Sequence, residues 1–381
     1  MIDLIDITIP QQHTPFGNER IKRLEDSPTA LSKRFSKKIP LHGSGATVDV
    51  TSLNNGSAIN IHCCPLKPLQ GHNVFGTNKV CQLGGTLICA VLDKLEIVYT
   101  EKQRAAWMAG DFDIRMLDIT HRFQLPDGVD VQQLCEHMLR TTSTVFRPAW
   151  FRSGVGVRMA VPLGRAAWIF YDKLLELDDK RTHSEKHLRA IVGENVDDVF
   201  SRLREEADGN IRAELKLSKE YLEKHGLNRG SAWTLERVQE VYFDELAGLG
   251  FENHQPIERL MTSAAGLKHH LRRTFKLWGH RESLRKDFKP STLEYHRAQI
   301  RSAIGIDILC DVPVVEALPL SQIFSPKNIM PTFPGWIGPY REIAFGAQRA
   351  QGKRGVTVQL AGCARGAPAM NAVPDTAQPR T

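Results

Sequence analysis

The chain has 381 residues, 41% of them hydrophobic, with 50 Lys and Arg against 43 Asp and Glu, a net charge of +7 and a pI near 9.0. That length predicts two or three domains with a sizeable core, and the basic excess permits phosphate binding without requiring it. The longest apolar runs, such as 86–92, are too short to span a bilayer, and no secretory signal opens the chain. Seven cysteines, Cys63, Cys64, Cys81, Cys89, Cys135, Cys310 and Cys363, are odd in number and lack zinc-ligand spacing. They predict reduced thiols in a cytoplasm rather than a disulfide framework.

Ile5-Asp6-Ile7-Thr8-Ile9-Pro10 alternates strictly and predicts a strand. Residues 11–57 are polar, with turns expected at Gly43-Ser44-Gly45 and Asn54-Asn55-Gly56-Ser57. A second strand is expected from Ser57 to Cys63, followed by a loop through Gln70-Gly71-His72-Asn73. Residues 84–99 are apolar enough for either a helix or a buried strand. Residues 112–123 alternate again, and Val131, Leu134 and Met138 have helical spacing. Two further strands, 155–161 and 166–173, flank a Pro162-Leu163-Gly164 turn. Residues 174–203 are charged and partly helical, 211–217 alternate, and Ser218 caps a helix that stops at Gly226.

From Thr234 onward strand-like alternation gives way to helical patterns. Lys268, Arg272, Arg273, Lys276, Arg281 and Arg285 make residues 267–285 strongly basic, and a second helix runs from Leu293 to Ile304 before Gly305. Beyond residue 315 Pro, Gly and Ala accumulate, which predicts a largely disordered tail. The expected organisation is therefore an α+β domain over 1–235, a basic helical domain over 236–315 and a tail over 316–381.

Five segments carry candidate chemistry. In a strand, Tyr171 and Lys173 share a face, so an ammonium would stand beside a phenol of ordinary pKa about 10 and favour its ionisation. The plain alternative is a half-buried Tyr with an exposed Lys. Asp118 falls in line with Phe112, Ile114, Met116 and Thr120, where a carboxylate is costly unless it is paired or binds a metal. His121 points away from Asp118 unless a bulge intervenes. Glu214 lies on the polar face of its strand with Arg212 and Lys216, and with Asp118 it would make an oxygen site suited to Mg²⁺ or Mn²⁺. His72 and Asn73 offer ligands between the permissive Gly71 and Gly76, or only a rigid loop. The basic helix pair suits DNA-backbone binding by a helix-turn-helix variant, or is simply a solvated face.

The run Lys67-Pro68-Leu69-Gln70-Gly71-His72-Asn73-Val74-Phe75-Gly76-Thr77 resembles a segment of the gene II/X replication proteins of filamentous phages. Looser similarities follow in the family's order: Arg115 to Thr120, Ala167 to Lys173, Ile211 to Gly226, and the basic helices up to Ile308. The resemblance implies an antiparallel-sheet replication nuclease of HUH-like fold, in which Tyr171 nicks DNA and Lys173 accompanies it. It implies Mg²⁺ or Mn²⁺ at Asp118 and Glu214. DNA contacts are expected at Gln70, Gly71, His72, Asn73, Gly76, Arg115, Arg272, Arg273 and Lys276. Partners would be single-stranded and supercoiled duplex origin DNA, with the host helicase and polymerase, in the cytoplasm of a bacterial host; a homodimer at the origin is left open.

The chain departs from related rolling-circle nucleases in lacking a His-hydrophobic-His motif near Asp118. Tyr221 also falls in a matching segment and rivals Tyr171. Residues 11–57 and 316–381 match nothing in the family's pattern. Two other readings stay open: a non-catalytic DNA-binding replication regulator, and a metal-dependent nuclease that hydrolyses without a tyrosine.

Overall fold

A computed structural model of the chain describes residues 1–24, 27–41, 45–141, 146, 148–151, 156–160, 166–251, 264–279, 283–304, 306–309, 318 and 320–337. Alternating strands dominate. They are β1 (Ile2–Pro10), β2 (Asn18–Leu24), β3 (Ser27–Pro40), β4 (Thr47–Leu53), β5 (Ala58–Cys63), β6 (Asp113–Gln124), β7 (Ala149–Phe151), β8 (Gly156–Ala160), β9 (Ala166–Tyr171) and β10 (Asn210–Leu217). They form one ten-stranded sheet in the order β2-β3-β4-β5-β1-β6-β10-β9-β8-β7. Every neighbouring pair is antiparallel. This is the expected α+β class, but the sheet is larger than the sequence suggested.

Three strands lie within residues 11–57, which read as polar turns. In β4 the signal is present: Val48 and Val50 are buried while Asp49 and Thr51 turn outward. The β2–β3 hairpin carries no apolar alternation in its sequence, so backbone pairing is what defines it. The ambiguous stretch at 84–99 is mostly helix: α2 spans Val80–Lys94 and follows the short α1, Leu66–Gln70.

One face of the sheet is apolar. Ile5, Ile7 and Ile9 of β1, Ile59 and Ile61 of β5, and Leu215 of β10 pack there against Leu87 and Val91 of α2. Leu134 and Met138 of the helix Val131–Thr141 join them, as do Val238 and Tyr242 of the helix Leu235–Ala247. A Tyr242 Oη to Ala213 O hydrogen bond of 2.9 Å ties that last helix to β10. The boundary expected at residue 235 thus falls at the start of a helix that completes the sheet's own core. Leu320, Ile323 and Phe324, from the expected tail, are buried in the same core. Residues 338–381 lie outside the described residues.

The opposite face is covered at one end by three helices, Lys173–Asp178, Ser184–Val192 and Val196–Ala207. There Val74 and Phe75 pack with Leu177, Leu188, Val196, Val199 and Leu203. Arg122 of β6 donates to Glu206 O at 2.6 Å and so fastens the last of these helices over the sheet.

The basic helices His269–Gly279 and Pro290–Ile304 build a separate small core from Leu267, Leu271, Phe275, Trp278, Leu293 and Ile300. Arg297 clamps Asp307 with two contacts of 2.8 Å. Arg281 and the expected stop at Gly305 fall outside the described residues. Among the described residues no helix is long and apolar enough to cross a membrane.

Candidate active site

A bulge in β6 sets the site. Asp6 pairs with Met116, but Ile7 pairs with Ile114, so one extra residue, Arg115, is accommodated on β6. The parity of the strand changes there. Ile114 faces the core, and so do Leu117, Ile119 and Phe123 beyond the bulge. Asp118 therefore does not share the apolar face, as a regular strand would have required. It faces the polar side with Thr120 and Arg122. His121 points away from Asp118, as alternation predicted, but the bulge turns it into the core, with its ring edge-on to Tyr242 at 4.5 Å. Burial drives its pKa well below the ordinary value. Arg115 sits half-buried at the bulge.

The register then assembles the polar side. Across β6 and β10, Asp118 stands opposite Lys216, Thr120 opposite Glu214, and Arg122 opposite Arg212. Across β10 and β9, Arg212 stands opposite Tyr171. Tyr171 ends its strand, and opposite it lies Gly156, where an added Cβ would come within 2.5 Å of the Tyr171 Cβ. The phenolic oxygen of Tyr171 donates to Glu214 Oε2 at 3.4 Å. The Arg212 guanidinium lies 5.6 Å from the Tyr171 ring centroid, as a cation over an aromatic face.

Arg212 is fully buried and is held by Asp3, Nη2 to Oδ1 at 2.9 Å, and by the carbonyl of Asn73. Asn73 donates to Asp3 at 2.7 Å and accepts from Lys173 Nζ at 2.8 Å. Lys173 bonds Glu176 at 2.5 Å, and Lys67 approaches the same carboxylate at 3.8 Å. A continuous buried network therefore runs Asp3–Arg212–Asn73–Lys173–Glu176 under the tyrosine. Lys173 was expected on this strand beside Tyr171, but it is not part of it. β9 stops at Tyr171, and Asp172 caps a new helix by accepting from Leu175 N at 3.0 Å. Lys173 opens that helix, and its bonds go to the network.

Burial shapes the charges. It raises Glu214, with help from Asp3 and against the pull of Lys216, to a pKa of about 8. It raises Asp118, again opposed by Lys216. It raises Tyr171 well above a free phenol, with Arg212 opposing. Burial lowers Lys173 to about 8 despite Glu176. For Glu176 the order reverses: burial raises it, but Lys173 and Lys67 win and bring it to about 2. Asp3 is likewise held well below the carboxylate range, because Arg212 and Lys173 outweigh burial.

The loop at Gln70–Gly76 is buried. Gln70 Nε2 donates to its own loop, to His72 O at 3.2 Å and Phe75 O at 2.7 Å. Gly71 has φ 85°, and an added Cβ would sit 2.9 Å from Leu188 Cα. At Gly76 a Cβ would meet Leu66 Cδ1 at 2.3 Å. Burial lowers His72 to about 3, so its ring is neutral. In this structure the loop braces the network through Asn73 instead of presenting a surface to DNA. Arg272, Arg273 and Lys276 are exposed on the helical unit. Tyr221, the rival nucleophile, bonds Glu245 at 2.8 Å and stacks on His225 at 4.3 Å, outside this network.

Sequence reasoning missed Asp3, Lys216, Thr120 and Glu176 as site residues. Lys216 and Thr120 were legible as neighbours of Glu214 and Asp118 on alternating strands. Asp3 and Glu176 carried no local signal. Among the described residues no three His, Cys, Asp or Glu side chains converge as a metal cluster. The donor set nevertheless fits a hard cation, since Asp118 Oδ1 and Thr120 Oγ1 are buried beside Glu214 without hydrogen-bond partners.

Residues 1–236 match the model of the N-terminal region of the phage gene II replication-associated proteins. The chain belongs to this gene II family. It is 23% identical over 339 residues to the gene II replication-associated protein of Enterobacteria phage I2-2, a match that covers 86% of this chain and 94% of that protein. The matched gene II region spans the sheet, Tyr171 and the whole buried network. Membership gives the chain a role in the initiation of replication.

Proposed function

We propose that this gene II family protein is a site- and strand-specific DNA nickase and strand transferase that starts rolling-circle replication through Tyr171. The observation that carries the reading is the Tyr171–Glu214 contact on the polar sheet face, held from below by Arg212. The phenolic oxygen attacks the scissile phosphorus, Glu214 receives the phenolic proton, and the bond to the 3′ oxygen breaks. The products are a 5′-phosphotyrosine and a free 3′-OH, which takes up a proton and primes the host polymerase. Attack by the 3′-OH of the displaced strand reverses the exchange and closes a circle. Asp118 and Glu214 would hold Mg²⁺ or Mn²⁺, which would supply charge stabilisation at the phosphate.

Arg212 fixes the ring of Tyr171 by covering its face, and the Asp3–Asn73 pair fixes Arg212. The exposed cations of the helical unit supply phosphate contacts on duplex origin DNA, and the host helicase then opens the strands. The test is incubation of the full chain with supercoiled DNA bearing its origin and Mg²⁺, followed by denaturation and peptide mapping. A covalent adduct on Tyr171 supports the reading. An adduct on Tyr221 moves the nucleophile, nicks without adduct indicate a hydrolytic nuclease, and binding without nicks indicates a regulator. The regulator reading draws on one observation: the basic helices have a core of their own.

A further inference from the structure

Lys216 stands between the two carboxylates of the site. Its Nζ lies 2.6 Å from Glu214 Oε1 and also bonds Asp118 Oδ2. With both carboxylates ionised, the three groups leave the site one negative charge in excess. Two oxygens in the same patch, Asp118 Oδ1 and Thr120 Oγ1, find no hydrogen-bond partner, and both residues are 1% exposed. A buried polar atom left unpaired is costly, so such a pair at one spot needs an explanation. The carboxylates are fixed on strand interiors. The Lys216 side chain is 33% exposed and sits on a flexible stem.

We infer that Lys216 is a resident placeholder cation, and that a divalent ion entering against Asp118, Glu214 and the Thr120 hydroxyl displaces its ammonium toward the open side of the site. Thr120 thereby becomes an oxygen ligand beside the two carboxylates, and Lys216 is freed to meet a phosphate. The idea rests on the proposed metal at Asp118 and Glu214, but not on nicking. Free protein would hold the metal weakly, because each ion bound must first displace a neutralising charge.

The test is a Mn²⁺ titration of the full chain without DNA, with free Mn²⁺ read by electron paramagnetic resonance. Lys216→Met should bind Mn²⁺ roughly tenfold more tightly than the unaltered chain, or better, because a unit positive charge has left the site. Lys216→Gln tests the same point if the Met variant does not fold. Adding Asp118→Asn to either should abolish the gain, and Thr120→Val should weaken binding several-fold. Affinity no tighter in both Lys216 variants would overturn the placeholder, as would a gain that survives Asp118→Asn. Unchanged binding in Thr120→Val would overturn Thr120 as a ligand. Mn²⁺ binding that behaves as expected, in a protein that forms no adduct, would leave this inference standing and remove the nickase reading.

Discussion

Tyr171 and Glu214 are not ladder partners, yet they meet. The register pairs Tyr171 with Arg212 and Glu214 with Ile169. The phenol leans along the sheet to bring its oxygen 3.4 Å from Glu214 Oε2, over the guanidinium of its true partner. One side chain thus orients the ring and another takes its hydrogen bond.

Tyr171→Phe should abolish the covalent adduct while leaving the fold and origin binding nearly intact. The variant loses a single long hydrogen bond, worth about 1 kcal/mol. Gel-shift affinity and a urea midpoint close to those of the unaltered chain, with no adduct, is the expected set. Adduct formation at the normal rate would remove Tyr171 from the chemistry.

Arg212→Met should cost about 3–5 kcal/mol in urea unfolding, because it strands the Asp3 carboxylate in the interior. Asp3→Asn added to it should recover part of that loss, since the stranded charge is gone. The double variant should still make adduct poorly, because Tyr171 loses its cover. Additive losses in the double-mutant cycle would show that the two residues do not act as a pair.

The network also predicts an acid dependence. Glu176 titrates near 2 when folded, against 4.5 ordinarily. Between those values the unfolded chain binds more protons, so stability rises with pH there. The contribution is fully present above pH 4.5 and is lost as pH falls toward 2, on the order of 3 kcal/mol. Glu176→Gln should flatten this part of the stability–pH curve. An unchanged slope below pH 4.5 would mean that Lys173 and Lys67 do not hold the carboxylate ionised.

The helical unit should bind duplex DNA by charge. Arg273→Gln and Lys276→Gln each remove an exposed cation without touching the small core. Each should weaken duplex binding and lower the log–log salt slope by roughly one unit. Adduct formation on single-stranded origin should persist. Unaltered salt slopes would make these charges a solvated surface only. Cutting the chain at residue 235 is a poorer test, because it removes Val238 and Tyr242 from the core of the sheet.

Much was legible locally. Alternation marked β1, β5, β6, β9 and β10, and placed Glu214 with Lys216 and His121 away from Asp118. Capping and stop residues marked the helix after Ser218. Local pattern drew attention to Asp118, and the resemblance to the gene II family added Tyr171, Glu214 and the basic helices. The tertiary structure decided what those residues touch. A single bulged residue, Arg115, reverses the parity of β6 and moves Asp118 from a line of apolar neighbours to the polar side, which no period-two pattern reveals. β9 stops at Tyr171 and Asp172 caps the next helix, so Lys173 bonds into the buried network instead of sharing a strand face with Tyr171. Asp3 reaches Arg212, and Asn73 reaches both Asp3 and Lys173, across separations that local sequence does not encode. Within a regular strand, residue order dictates which face a side chain takes. Where strands break, bulge or pair with distant partners, only the packed sheet sets the distances on which the chemistry depends.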